Sequence, residues 1–190
     1  MCVGTASHRR PRAAYPAAVS ADETAGPAST GPETTPDGHF IIVDGRRWRA
    51  TDPAIPETLR AELVKELMAA RRLVKTRGDA VRFRVQDAKV ALGERGDPWW
   101  APTEDGRRGR LAAAMRALLR HREEGRTICP SDAARVAGGD AWRDLMPTAR
   151  EVASELAAAG AVVVTQKGDP VDPATARGPI RLAAGPRLGR

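Results

Sequence analysis

The sequence predicts a mainly helical α+β fold, and three observations carry that prediction. Apolar residues recur at spacings of three and four in several stretches, the mark of helices with one buried face. "FIIVDGRRWR" sets Asp44-Gly45 between two strand-like runs, a hairpin signal because both turn positions need positive φ. "AVVVTQ", residues 161–166, reads as a strand that follows a helical stretch ending at Gly160. The 190 residues suit one medium domain or two small ones. Hydrophobic residues make up 42% of the chain and aromatics only 4%, so the core must be built from Ala, Val and Leu.

Four segments follow from composition and punctuation. Residues 1–38 are rich in Ala, Pro, Ser, Thr and Gly. They cannot bury enough apolar surface to offset their ordering entropy, so a disordered tail is expected. Residues 39–105 read as a β-hairpin and helical module. Phe40–Val43 and Arg46–Arg49 form the hairpin, with Phe40, Ile42 and Trp48 expected on one face. A helix over 56–78 aligns Leu59, Leu63, Leu67, Ala70 and Val74, with Pro56 at its first position and Gly78 at its end. A second helix over about 80–95 aligns Val81, Val85, Ala88 and Leu92. "TRGD" joins the two as an antiparallel helical hairpin, and "GDPWWAPTEDG" breaks the chain at 96–106.

Residues 106–184 continue with a helix over 107–125, turning Leu111, Met115, Leu118 and Leu119 inward. Thr127-Ile128 is a short strand, and 130–139 a short helix from Pro130 to Gly138-Gly139. A longer helix runs from Pro147 to Gly160 with Val152, Ala153 and Leu156 inward. The "AVVVTQ" strand, the loop "KGDPVDPATARG" and a last strand "PIRLA" complete the segment; 185–190 is expected to be a tail. Helix, strand, helix, helix, strand, loop, strand is the order of a winged helix-turn-helix.

Within 127–182 the strings "ICPS", "GGDAWRDLMPTAR", "LAAAG" and "TQKGDPVDPATARGPIRL" stand together. In these motifs the segment resembles a small bacterial family, the domain of unknown function 3253. The resemblance implies a winged-helix fold. It implies no activity and no catalytic residues. The module at 39–105 looks like an extension attached to that family.

The formal charge is +7, and its distribution is uneven. Residues 1–105 carry 16 Lys and Arg against 15 Asp and Glu; residues 106–190 carry 15 against 9. The excess therefore sits in the C-terminal segment. Only four of the 31 basic residues are Lys, a usage typical of GC-rich genomes, which raises the isoelectric point without functional cause.

These features point to a DNA-binding protein without catalysis. The exposed side of the 147–159 helix offers Arg143, Thr148, Arg150 and Ser154 for groove contacts, with Glu151 and Glu155 beside them. Lys167, Arg177, Arg181 and Arg108 are candidates for phosphate contacts, which need only cations on a common surface. The rival readings are a protein-interaction scaffold and a ligand- or redox-responsive regulator. The latter rests on Cys129, expected at a helix N-cap near Arg126, where a thiol's pKa is lowered; a buried small hydrophobe is the plainer interpretation. Trp99-Trp100 is read as loop packing, between the helical hairpin and the next helix. Asp87, Lys89, Glu94 and Arg95 are read as surface ion pairs.

No phosphate loop, nucleophile elbow, zinc motif or paired cysteine is present in the sequence. No enzyme activity, metal or cofactor is expected. No apolar run approaches membrane-spanning length, and the first twenty residues have no apolar core of a secretory leader. Cys2, with no apolar run before it, is read as a tail residue. A cytoplasmic location is expected.

Overall fold

In the computed structural model, which describes residues 32–189, the Asp44-Gly45 turn forms as its chemistry requires. Asp44 has φ 50° and Gly45 φ 71°, the left-handed pair a two-residue hairpin turn demands. Strand β2 (Phe40–Val43) pairs antiparallel with β3 (Arg46–Arg49). The register sets Phe40 opposite Arg49, Ile41 opposite Trp48 and Ile42 opposite Arg47. Directly opposed residues share a face. Trp48 therefore lies on the Ile41 and Val43 face, not with Phe40 and Ile42 as expected. The turn length fixes the parity, and a two-residue turn puts 41 and 48 together.

A third strand, β1 (Glu33–Thr34), pairs with β2. Order thus begins before His39. Most of the expected tail, residues 1–31, lies outside the described residues. Among the described residues Asp37 accepts from the Thr35 hydroxyl and the His39 amide, and these bonds hold its carboxyl below the usual range.

Helix α1 (Glu57–Arg77) buries Leu59, Leu63, Leu67 and Ala70. Val74 is only half-buried, and Pro56 is the cap rather than the first helical residue. Gly78, at φ 64°, lets the chain turn through a 3₁₀ segment (Gly78–Val81) into α2 (Arg82–Ala91). Helix α3 (Glu104–His121) starts earlier than expected because Thr103 caps it. The Thr103 hydroxyl accepts from the Gly106 amide at 3.0 Å and donates to Asp97 at 2.5 Å. Helix α4 (Pro130–Gly138) has Pro130 in its first turn, with the Cys129 amide donating to Asp132 at 3.0 Å. After a 3₁₀ turn at Gly139–Ala141, α5 (Met146–Ala158) buries Ala149, Val152 and Ala153, while Leu156 is half-buried.

Strand β4 (Val162–Gln166) lies between β5 (Asp169–Pro170) and β6 (Arg181–Ala184). The Thr127-Ile128 strand is a single bridge: Ile128 and Leu182 exchange amide-to-carbonyl bonds of 2.9 and 2.8 Å. The fold is α+β, helices with two three-stranded antiparallel sheets.

One core joins the helices to the β4–β6 sheet. Leu63 of α1, Leu92 after α2, Leu111, Met115 and Leu118 of α3, Ile128 and Leu182 are all fully buried. Helix α3 packs on α1, α2, α4 and α5. Each such leucine contributes roughly 1.5–3 kcal/mol of transfer free energy. The expected tail after residue 184 is part of the same packing. The Gly185 amide donates to the Ala161 carbonyl at 3.0 Å, and Leu188 is buried. A Cβ at position 185 would stand 2.3 Å from the Gly160 carbonyl oxygen, so only glycine permits this approach.

Candidate nucleic-acid interface

Helix α5 and the loop between β4 and β6 are where a basic surface is expected. Folding commits much of that charge internally. Arg150 donates to the Ala176 carbonyl at 2.7 Å and the Gly178 carbonyl at 3.2 Å. It clamps the 167–180 loop to α5. Arg108 donates to Glu151 at 2.8 Å and also bonds Glu155. These hydrogen bonds, Glu151 first, raise its pKa further, so it is an unconditional cation covering two carboxylates. Arg181 donates to the Thr127 hydroxyl and carbonyl, each at 3.0 Å. It ties β6 to the chain before α4.

The remaining sequence-predicted residues are placed differently. Thr148 and Ser154 are half-buried on α5. Ser154 lines an open groove with Arg150, Glu151, Glu155 and Pro173. Arg143, just ahead of α5, is exposed and lies 4.7 Å over the Trp142 ring, which also holds Arg135 at 4.3 Å. Lys167 and Arg177 are exposed in the loop. Gln166 stands between them, its amide donating to the Arg177 carbonyl at 2.6 Å. Lys167 has φ 55° at the tip of the β4–β5 turn. Of the eight predicted residues, Arg143, Lys167 and Arg177 present an exposed cation that neither a carboxylate nor a hydrogen bond engages among the described residues.

The sequence reading missed where the arginines of α3 find their counter-charges. Apart from those of Arg108, they come from the N-terminal half. Asp87 on α2 is buried, not a surface residue as expected. It takes Arg116 at 2.6 and 3.0 Å and Arg120 at 2.6 Å. Asp52 pairs with Arg110 at 2.8 Å, both buried. Glu62 on α1 pairs with Arg122 at 3.1 Å. Burial depresses the Arg110 and Arg120 pKa values, and their carboxylates oppose it. A signal for Asp87 was present: Arg84, Asp87, Ala88 and Ala91 fall at helical spacing on one stripe, and all four are buried.

Lys89 and Glu94 do form an ion pair, at 3.0 Å, but it is partly buried and Thr51 donates to the same carboxylate. Arg95 donates to Gln86 instead of an acid. The buried pair Arg84–Glu66 is bidentate, with both bonds 2.9 Å. Burial raises the Glu66 carboxyl against the pull of Arg84.

Three carboxylates of the N-terminal half thus pair with four C-terminal arginines, Asp87 being shared by two of them. The N-terminal cations are left over. Lys65, Arg71, Arg72, Lys75 and Arg77 on α1 have no acidic partner among the described residues.

Trp99 and Trp100 pack chiefly on the β-hairpin. His39 stacks on Trp100 with centroids 3.8 Å apart, and the Trp99 indole donates to the Ala50 carbonyl at 3.1 Å. The Cys129 thiol is free and half-buried. Among the described residues, no helix is long and apolar enough to cross a membrane, and no cluster of three or more His, Cys, Asp or Glu could hold a metal ion.

A comparison with curated proteins finds no match to the chain. Residues 108–185, from the first turns of α3 through β6, match the model of the family described as "Protein of unknown function (DUF3253)".

Proposed function

We propose that the chain binds nucleic acid without catalysing a reaction, and that its C-terminal part works as a winged helix-turn-helix. The order α3, Ile128 bridge, α4, α5, β4 to β6 supports the winged-helix reading. In it α5 is the recognition helix and the 167–180 loop is the wing. One observation carries the proposal: Arg143, Lys167 and Arg177 hold exposed, unneutralised cations at the start of α5 and in the wing that Arg150 clamps to it. The other arginines have supporting roles. Arg108 covers Glu151 and Glu155, which would otherwise repel phosphate. Arg181 fixes the last strand.

This arrangement favours backbone contacts over base readout. Its affinity should be salt-dependent, with each phosphate-contacting cation adding about 0.9 to the log–log slope. The reading carries with it a cytoplasmic location and no resident cofactor. The test is fluorescence anisotropy of a labelled random duplex at several salt concentrations. Arg143→Ala, Lys167→Ala and Arg177→Ala should each weaken binding and lower the slope by about 1. No binding at low salt sinks the reading.

A protein partner is the second reading. The groove beside Pro173 and Ser154 favours it, because Arg108 leaves that face nearly neutral. Effort moves there if the duplex fails to bind.

A further inference from the structure

More unneutralised positive charge collects on the opposite half of the sequence. Arg71 and Lys75 are one turn apart on α1, both exposed and without an acidic partner among the described residues. With Arg82 and Arg95 they ring an open pocket of ≈ 320 Å³ whose other lining residues are Val74 and Val85. No carboxylate lines it. Asp79 pairs with Arg82 at the helix start, and Arg95 donates to the neutral Gln86. Such a pocket suits a phosphate, because three unpaired cations and the Asp79-paired Arg82 line it and no carboxylate does.

Arg71 also lines a second, adjoining groove of ≈ 550 Å³, between the hairpin and the helices. Trp48, Ile41, Val43 and Arg46 form its hairpin wall. Trp48 is 49% exposed, more than Val43 at 40% or any other large hydrophobic residue described as exposed. The register places its ring on this outer face. Asp44 and Glu94 also line the groove, but Glu94 is already held by Lys89 and Thr51. Arg46 lies 5.7 Å from the Trp48 ring and adds charge at the aromatic surface.

A cationic pocket and an exposed aromatic ring therefore share one residue, Arg71, along one track. Phosphate needs the first and an unstacked base needs the second. A duplex keeps its bases stacked inside and cannot offer them to Trp48. A membrane surface would favour protruding apolar side chains, whereas Trp48 lines a concave groove. We propose that this track binds a single-stranded nucleic acid, with phosphate at Arg71, Lys75, Arg82 and Arg95 and a base against Trp48. The site is separate from α5 and the wing, and it stands whether or not the duplex reading holds.

The experiment titrates the full chain into a short fluorescent oligothymidylate and, in parallel, a random duplex. The variants are Trp48→Ala and Arg71→Ala/Lys75→Ala, all at exposed positions, with circular dichroism confirming the fold. Trp48→Ala should weaken single-strand binding roughly tenfold and leave duplex binding unchanged. The double variant should lower the single-strand salt slope by about 1.4. Trp48→Phe should recover most of the loss. Absence of oligothymidylate binding at low salt overturns the proposal, as does binding that ignores both variants. Phosphatidylserine vesicles are the control: sedimentation that depends on Trp48 and resists competition by the oligonucleotide would assign the face to a membrane and overturn it equally. Loss of duplex binding in Arg143→Ala with single-strand binding intact would separate the two surfaces.

Discussion

The two halves of the chain exchange electrostatic roles on folding. In sequence, residues 106–190 hold nearly all the positive excess, and residues 1–105 are close to balanced. In the fold, Asp52, Glu62 and Asp87 leave the N-terminal half to pair with Arg110, Arg122, Arg116 and Arg120. Four C-terminal arginines become structural, and further unpaired cations stand on α1 beside those left at Arg143, Lys167 and Arg177. A charge count along a sequence is a ledger of residues. The field outside the protein depends on which charges are paired, and pairing here crosses from one half to the other.

Breaking the central link should have the largest effect. Asp87→Ala leaves Arg120, whose side chain is 2% exposed, without its carboxylate. It should cost about 3–5 kcal/mol, the range for uncovering a buried charge, read by urea denaturation. A loss under about 1 kcal/mol would mean that the Leu188 and Gly189 carbonyls satisfy Arg120 without help. Glu62→Ala breaks a half-buried pair and should cost no more than about 1 kcal/mol. Comparing the two shows how far burial, not charge alone, makes the exchange binding.

Acid titration sharpens the comparison at the junction of the halves. The Thr103 hydroxyl, then its amide, donate to Asp97 and hold its carboxyl below the ordinary 3.8. The folded state binds this proton less readily than the unfolded one. The stabilisation is therefore present above the ordinary value and is lost as pH falls through the lowered one. Asp97→Asn should flatten that acid limb in a stability-versus-pH series. The smallest effect is expected on α1. Arg71→Ala/Lys75→Ala removes two exposed cations that touch no acid, so the change should stay within about 0.5 kcal/mol. A larger loss would mean these cations have a structural role and the contrast between the halves is wrong.

Local chemistry was legible in the sequence. Asp44-Gly45 could only be a tight turn, Pro130 and Pro147 marked helix starts, and Leu111, Met115, Leu118 and Leu119 lie inward as their spacing required. Helix α3 began early because the Thr103 cap outranked the arginine run behind it. Pairings between distant residues were not legible. The face of Trp48 depended on counting through the turn. Arg150 found backbone carbonyls of a loop 26 and 28 residues ahead, and carbonyls have no sequence signature. Three of the eight candidate residues kept free cations, because Arg108 went to Glu151 and Glu155 while Arg150 and Arg181 went to carbonyls and a hydroxyl of neighbouring segments.

The segment Gly185–Gly189 has a practical bearing. Arg120 donates to the Leu188 carbonyl at 2.9 Å and the Gly189 carbonyl at 3.0 Å, and Leu188 fills the core beside it. The segment behaves as a clasp. Pulling this segment out of place would open a leucine-sized void and take two carbonyl acceptors from Arg120, leaving it Asp87 alone.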